Sequence, residues 1–307
     1  MKKLLIKFLV IFLILMAIDF LWGIFFLKIV DISKEGRYYK AKYTLDLTSE
    51  DLLIIGSSLG EAGYCTKIFE DSLNITCYNV SRENQLLPYF NAIKEATLAR
   101  YVPTYIVFDI HPSFLQGEPN HEIVGEVFNP FYKTHPEIQS ILNNGSLSKK
   151  IIYLSNLYCF NSSYIYLLLP FIKKGMDRKV EDKGWRPRYG ITAISSKIKI
   201  LNPIGNLNKK AINEFHQFVD TIHNKGIQLI FCSSPMYNTT ICETPTIKYV
   251  KKYAKENDIP YFDYANHKEL LYNNEYFKDP AHFNDKGAIA FSKSIIQDIK
   301  SYLEIEN

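Results

Sequence analysis

Five short apolar runs, separated by stretches of helical pattern, restrict this chain more than any other feature. They are Leu52–Ile55, Ile75–Val80, Tyr105–Ile110, Ile227–Cys232 and Pro260–Tyr264. Each is too short for a helix, and the first stops at Gly56, the third at His111-Pro112. Runs of four to six apolar residues without polar alternation suit strands buried on both faces, as in parallel sheets. Between them, Pro88 to Tyr101, Thr246 to Glu256 and Gly287 to Leu303 have helical spacing. Ala211, Phe215, Phe218, Val219 and Ile222 recur on one helical face before Gly226. Strands alternating with helices imply an α/β domain in three layers, αβα, around a five-stranded parallel sheet. The expected domain covers 51–307, with a helical or irregular insertion at about 113–203, rich in Asn, Tyr and Pro.

The N-terminus is different in kind. Lys2, Lys3 and Lys7 precede Phe8 to Leu27, apolar throughout except for Asp19. About 20 such residues cross a hydrocarbon core of ~30 Å. Residues 1–30 therefore read as a single transmembrane anchor and 31–50, mixed and charged, as a tether. Basic residues ahead of the span favour a cytoplasmic N-terminus and put the domain on the extracytoplasmic side of the cytoplasmic membrane. A cleaved signal peptide fits less well, since the apolar stretch is long and no small-x-small site follows. A carboxyl near mid-membrane costs on the order of 2.5–3.5 kcal/mol. Asp19 is thus either a tolerated polar residue or a contact for a membrane-protein partner.

Composition excludes other classes. Thirty-six basic and 32 acidic side chains leave a net charge of +4 without long runs. No basic stripe marks a nucleic-acid surface. Cys65, Cys77, Cys159, Cys232 and Cys242 show no metal-ligand spacing, so no metal or other cofactor is expected. Pairing of Cys65 with Cys77 or Cys232 with Cys242 is open, although buried thiols suit the apolar surroundings better.

The chemistry lies at two ends of the domain. Gly56-Ser57-Ser58-Leu59 follows the first run, and Asp279-Pro280-Ala281-His282 precedes the last helix, more than two hundred residues later. A serine on a strand-to-helix turn becomes a nucleophile when an imidazole takes its proton and a carboxylate orients that imidazole. Either serine also suits a helix N-cap. His111, His121, His135, His216, His223 and His267 have no comparable partner in sequence. Gly56 to Gly60 also fits the G-x-S-x-G elbow of α/β-hydrolases. That elbow follows several strands, however, whereas here it follows the first.

The chain resembles the SGNH/GDSL hydrolase superfamily over roughly residues 51 to 303. Gly56-Ser57-Ser58-Leu59 matches that family's Gly-Asp-Ser-type block, and Asp279 to His282 its D-x-x-H block. Tyr78-Asn79-Val80, Arg100 to Pro103, Asn161-Ser162 and Asp279 to Gly287 look like membrane-anchored bacterial members. The resemblance implies the flavodoxin-like sheet of that family, Ser58 as nucleophile, His282 as base and Asp279 as its orienter. It places oxyanion donors near Asn84 and His111, where the family usually has Gly and Asn. The implied function is a serine acyl-esterase or O-acyltransferase acting on small acyl esters, such as acetyl esters of a surface glycan. Phe131, Tyr132, Tyr153, Tyr158, Tyr164 and Tyr166 in the insertion would offer faces for sugars. The altered oxyanion positions and Asp19 motivate a rival expectation, a non-catalytic glycan-binding or envelope-assembly partner that keeps the fold.

Overall fold

The structure is a computed structural model. It describes residues 1–161, 163–172, 178–191, 199–201, 205–237, 239–241 and 243–305. Ser162, Cys242 and the end of the insertion at 203 lie outside the described residues.

All five apolar runs are strands: β1 (Leu52–Ile55), β2 (Cys77–Asn79), β3 (Tyr105–Asp109), β4 (Gln228–Ser233) and β5 (Tyr261–Asp263). They form one parallel sheet in the order 2-1-3-4-5. Ile54 of central β1 stands opposite Asn79 and Val107. Alternate side chains enter two separate cores. Leu53, Ile55, Ile106, Phe108 and Phe231 face one layer, and Leu52, Ile54, Val107 and Ile230 the other. Burial on both faces explains the lack of polar alternation in these runs. A smaller parallel pair joins Lys199–Leu201 to Thr239–Ile241.

Some of the helices that flank the sheet begin on side-chain caps. After β1 come α3 (Ser58–Gly63) and α4 (Thr66–Leu73), and after β2 α5 (Leu87–Leu98) with Pro88 in its first turn. Asn208 caps α6 (Lys209–Asn224) by accepting from the amides of Lys210 and Ala211. Thr244 caps α7 (Pro245–Glu256), and α8 (Asp285–Ile305) closes the domain. The apolar stripe of α6, Ala211 to Ile222, is buried against the first core.

The segment 31–50 departs from its expectation as a tether. Helix α2 (Gly36–Lys42) and the wide turn Tyr43–Leu47 pack into the domain, burying Tyr38, Tyr39, Lys40, Ala41, Thr44 and Leu45. Tyr43 stacks on Tyr78 with ring centroids 4.3 Å apart. The charged composition misleads because Lys40 is buried with partners of its own. The described parts of the insertion hold short helices, irregular stretches and the strand Lys199–Leu201. Cys65, Cys77, Cys159 and Cys232 are free thiols in the interior.

Helix α1 (Lys2–Ile32) is continuous, with a mean hydropathy of 2.8 over its most apolar window. It is long and apolar enough to cross a membrane. Its first half stands clear of the domain, whereas Gly23, Phe26, Ile29 and Val30 are buried in the fold.

Candidate active site

Ser58 opens α3 directly beyond the carboxyl end of β1, where open parallel sheets place their sites. Ser57 holds the N-cap position with extended backbone, but its hydroxyl caps no amide and is buried without a hydrogen-bond partner among the described residues. The cap position therefore belongs to Ser57, and Ser58 is the serine presented to the imidazole.

The loop before α8 supplies the imidazole. His282 Nε2 lies 2.9 Å from Ser58 Oγ, and His282 Nδ1 lies 2.9 and 3.0 Å from the two oxygens of Asp279. With Nδ1–H donating to the carboxylate, Nε2 is left as the acceptor facing the serine hydroxyl. Asp279 is itself fixed, since its Oδ1 accepts from the amides of Ala281 and His282 at 2.9 and 3.0 Å. Burial alone would raise its pKa. The amide of Ala281 and the neighbouring His282 outweigh burial and hold the carboxyl below its ordinary value. Burial, followed by the charge of Arg188, lowers the pKa of His282 despite Asp279.

The loop has a built support. Phe277 bridges to Phe283, and the Asn284 side chain takes the Gly287 amide at 3.0 Å. At Gly287 a Cβ would stand 2.0 Å from the carbonyl oxygen of Tyr276, so only glycine lets α8 start this close to the loop.

Ser58 and His282 open into a cleft of about 560 Å³, also lined by Glu83, Asn84, His111 and Arg188. Asn84 has the left-handed backbone that asparagine tolerates better than most residues, φ 57°. Burial and then the nearby His282 depress His111 to about 4, so its ring is neutral. The structure thus brings Ser58, Asn84, His111 and His282 to one cleft, with Asp279 on the Nδ1 edge of the His282 ring. It does not bring the six insertion aromatics there. Phe131, Tyr132 and Tyr153 are buried, with Tyr132 and Tyr153 stacked at 3.9 Å, and none of the six lines the cleft. Two other histidines have partners that the sequence concealed, His121 with Glu214 and His135 with Asp46 at 3.0 and 2.8 Å.

Sequence reasoning missed a charged cluster behind the serine. Glu61, one turn after Ser58 on α3, is fully buried and meets Lys40 at 3.1 Å and Arg178 at 2.9 Å. Glu83 meets Arg178 at 2.8 Å and Arg186 at 2.5 Å, and its amide donates to Glu61 Oε2. Burial would raise the Glu61 carboxyl, but Arg178, Lys40 and Arg82 hold it well below its ordinary value. Arg188 continues the cluster into the cleft, 3.4 Å from Asp279. The available signal was a glutamate on the buried face of α3, which demands a cation.

No family model and no curated protein matches this chain. Solved structures similar to it include a proposed acylhydrolase from Bacteroides fragilis, at 13% identity and a TM-score of 0.41, covering 86% of this chain and 95% of that one. A GDSL-like lipase from Bacteroides thetaiotaomicron matches at 12% identity and 0.39, covering 82% and 88%. An acetyl xylan esterase from Butyrivibrio proteoclasticus matches at 12% and 0.38, covering 84% and 65%. Likeness this distant does not decide chemistry.

Proposed function

We propose that this chain is a serine acyl-ester enzyme of the SGNH type, anchored in the membrane by α1 with its cleft on the extracytoplasmic side. The observation that carries the reading is the unbroken chain of hydrogen bonds Asp279–His282–Ser58 opening into a cleft. Ser58 Oγ attacks the ester carbonyl while its proton passes to His282 Nε2. Asp279 stabilises the imidazolium without taking the proton. Collapse of the tetrahedral intermediate returns that proton from Nε2 to the leaving alkoxide and leaves the acyl group on Ser58. Water, or the hydroxyl of an acceptor, then gives its proton to Nε2 as it attacks the acyl-enzyme, and collapse of the second intermediate returns that proton to Ser58 Oγ as the acyl group leaves. Hydrolysis and transfer share every step but the last acceptor.

The amides of Ser58 and Asn84 are the proposed oxyanion donors, with His111 as a neutral ring beside them. One such donor is worth ~10²–10³-fold in rate. Beside the apolar Leu86 and Ile123, the cleft is lined by the polar side chains of Glu83, Asn84, Gln85, Ser113, Asn120 and Arg188. They suit a hydroxyl-rich carrier of a small acyl group, such as a surface glycan, better than a long lipid chain. The lysines ahead of the span support the outward orientation.

The test is labelling of the full chain with a fluorophosphonate. Wild type and Ser57→Ala are expected to take the label, and Ser58→Ala to lose it along with p-nitrophenyl acetate turnover. Labelling that persists in Ser58→Ala overturns the assignment. A folded wild-type chain that takes no label would instead favour the non-catalytic partner.

A further inference from the structure

Helix α1 meets the domain lower down its length than a simple anchor would. At 1.5 Å per residue, the part that stands clear, Leu4–Ile18, is about 22 Å long. A bilayer's hydrocarbon core is ~30 Å. Drawn from Leu4, the core therefore extends past Asp19, and drawn from Phe8 it extends to about Leu27. The insertion begins to pack on α1 within this same stretch. Gly23 abuts Asn156, where a Cβ would stand 2.5 Å from that side chain, and Trp22 and Phe26 touch Tyr164.

The surface of the insertion beside α1 is apolar and open. Leu154, Ile165 and Ile172 are 73%, 72% and 78% exposed, and Leu157, Leu168 and Phe171 are exposed with them. The helices that bear all of these but Leu154, Asn156–Cys159 and Tyr164–Ile172, pack on α1.

Asp19 and the donors that face it are satisfied within the chain, as hydrocarbon requires. Asp19 accepts from the Ser155 hydroxyl at 2.6 Å and from the amides of Asn156 and Leu157 at 2.8 and 2.9 Å. It also accepts from the Asn156 side chain at 3.1 Å. Those two amides are orphan donors in the first turn of the short helix Asn156–Cys159. Lys133 takes the Leu154 carbonyl and the Asn156 side-chain oxygen.

From these placements we propose that residues 151–161 and 163–172 form a lipid-immersed seat, which sinks the domain into the leaflet on its own side and holds it against α1. The occupant of the apolar face is the acyl-chain region of that leaflet, because the helices that bear most of that face pack on α1 at a level where α1 itself must lie in hydrocarbon. The inference rests on the reading of α1 as an anchor.

The test uses the full chain in nanodiscs of phosphatidylcholine and phosphatidylglycerol. Leu154→Cys, Ile165→Cys, Ile172→Cys, Ile14→Cys on α1 and Lys225→Cys on the far side are each labelled with the environment-sensitive fluorophore NBD. The unsubstituted chain, labelled in parallel, sets the background from native thiols. Quenching by doxyl-labelled lipid is expected at 154, 165 and 172 to at least half the extent seen at 14, with none at 225. Quenching at 14 but not at the three insertion sites overturns the seat and leaves the anchor standing. In that case, crosslinks from the same sites in native membranes distinguish a second protein or a second copy of this chain as the occupant. Absence of quenching at 14 as well overturns the anchor and the seat together.

Discussion

At the scale of single residues, the proposed base controls when the site works. His282 accepts the serine proton only when neutral, and burial with Arg188 lowers its pKa below the ordinary 6.5. The imidazole therefore stays neutral down to more acidic pH than a free histidine. The acid limb of kcat/KM for p-nitrophenyl acetate is expected below pH 6.5. Removing the Arg188 charge removes a force that disfavours the imidazolium, while Asp279 still favours it. Arg188→Gln is expected to move that limb to higher pH, as read from the two pH–rate profiles. An unmoved limb would mean that the Arg188 charge does not reach the imidazole. The Asp279–His282 pair stood out in the sequence because its residue types and spacing suit reaction chemistry, whereas the preference for Ser58 over Ser57 came from the family resemblance. Arg188 did not stand out, because nothing local to it marks a neighbour 91 residues away.

At the scale of elements, the buried charges of Glu61, Lys40 and Arg178 fasten α3 to α2 and to the segment that bears Arg178. Lys40 also donates to the carbonyls of Ser81 and Gly184, at 2.5 and 2.7 Å. The helix that presents Ser58 is thus tied to the loop that carries Asn84. Removing one member of a buried ion pair leaves the others uncompensated, at about 3–5 kcal/mol. Glu61→Gln is expected to lose that much stability in urea unfolding and to lower fluorophosphonate labelling of the folded fraction. Unchanged stability would show the cluster to be dispensable. The strands and principal helices were readable because burial on two faces, or along one stripe, leaves a local periodic trace. The cluster joins four distant segments, and α2 hides its buried face behind charged letters. Lys40 and Glu61 complete each other across 21 residues of sequence, so neither marks the other locally.

At the scale of the whole molecule, Asp19 sets two demands against each other. In a bare span its carboxyl is a cost, and replacing it with leucine should ease insertion by the same ~2.5–3.5 kcal/mol. In this fold it is the acceptor for four donors of the insertion. Within hydrocarbon no water replaces a lost acceptor, and each buried donor left unmet costs about 1–3 kcal/mol. The second effect outweighs the first, because it is counted four times. Asp19→Leu is therefore expected to reach the membrane at wild-type levels or better, yet to unfold at a temperature several degrees lower in nanodiscs. Amide exchange at Asn156 and Leu157 should quicken. Asp19→Asn, which keeps one acceptor oxygen, should fall between the two. If Asp19→Leu instead matched wild type in unfolding temperature and amide protection, the Asp19 carboxylate would not hold the insertion to α1, and packing around Gly23 and Phe26 would have to do so alone.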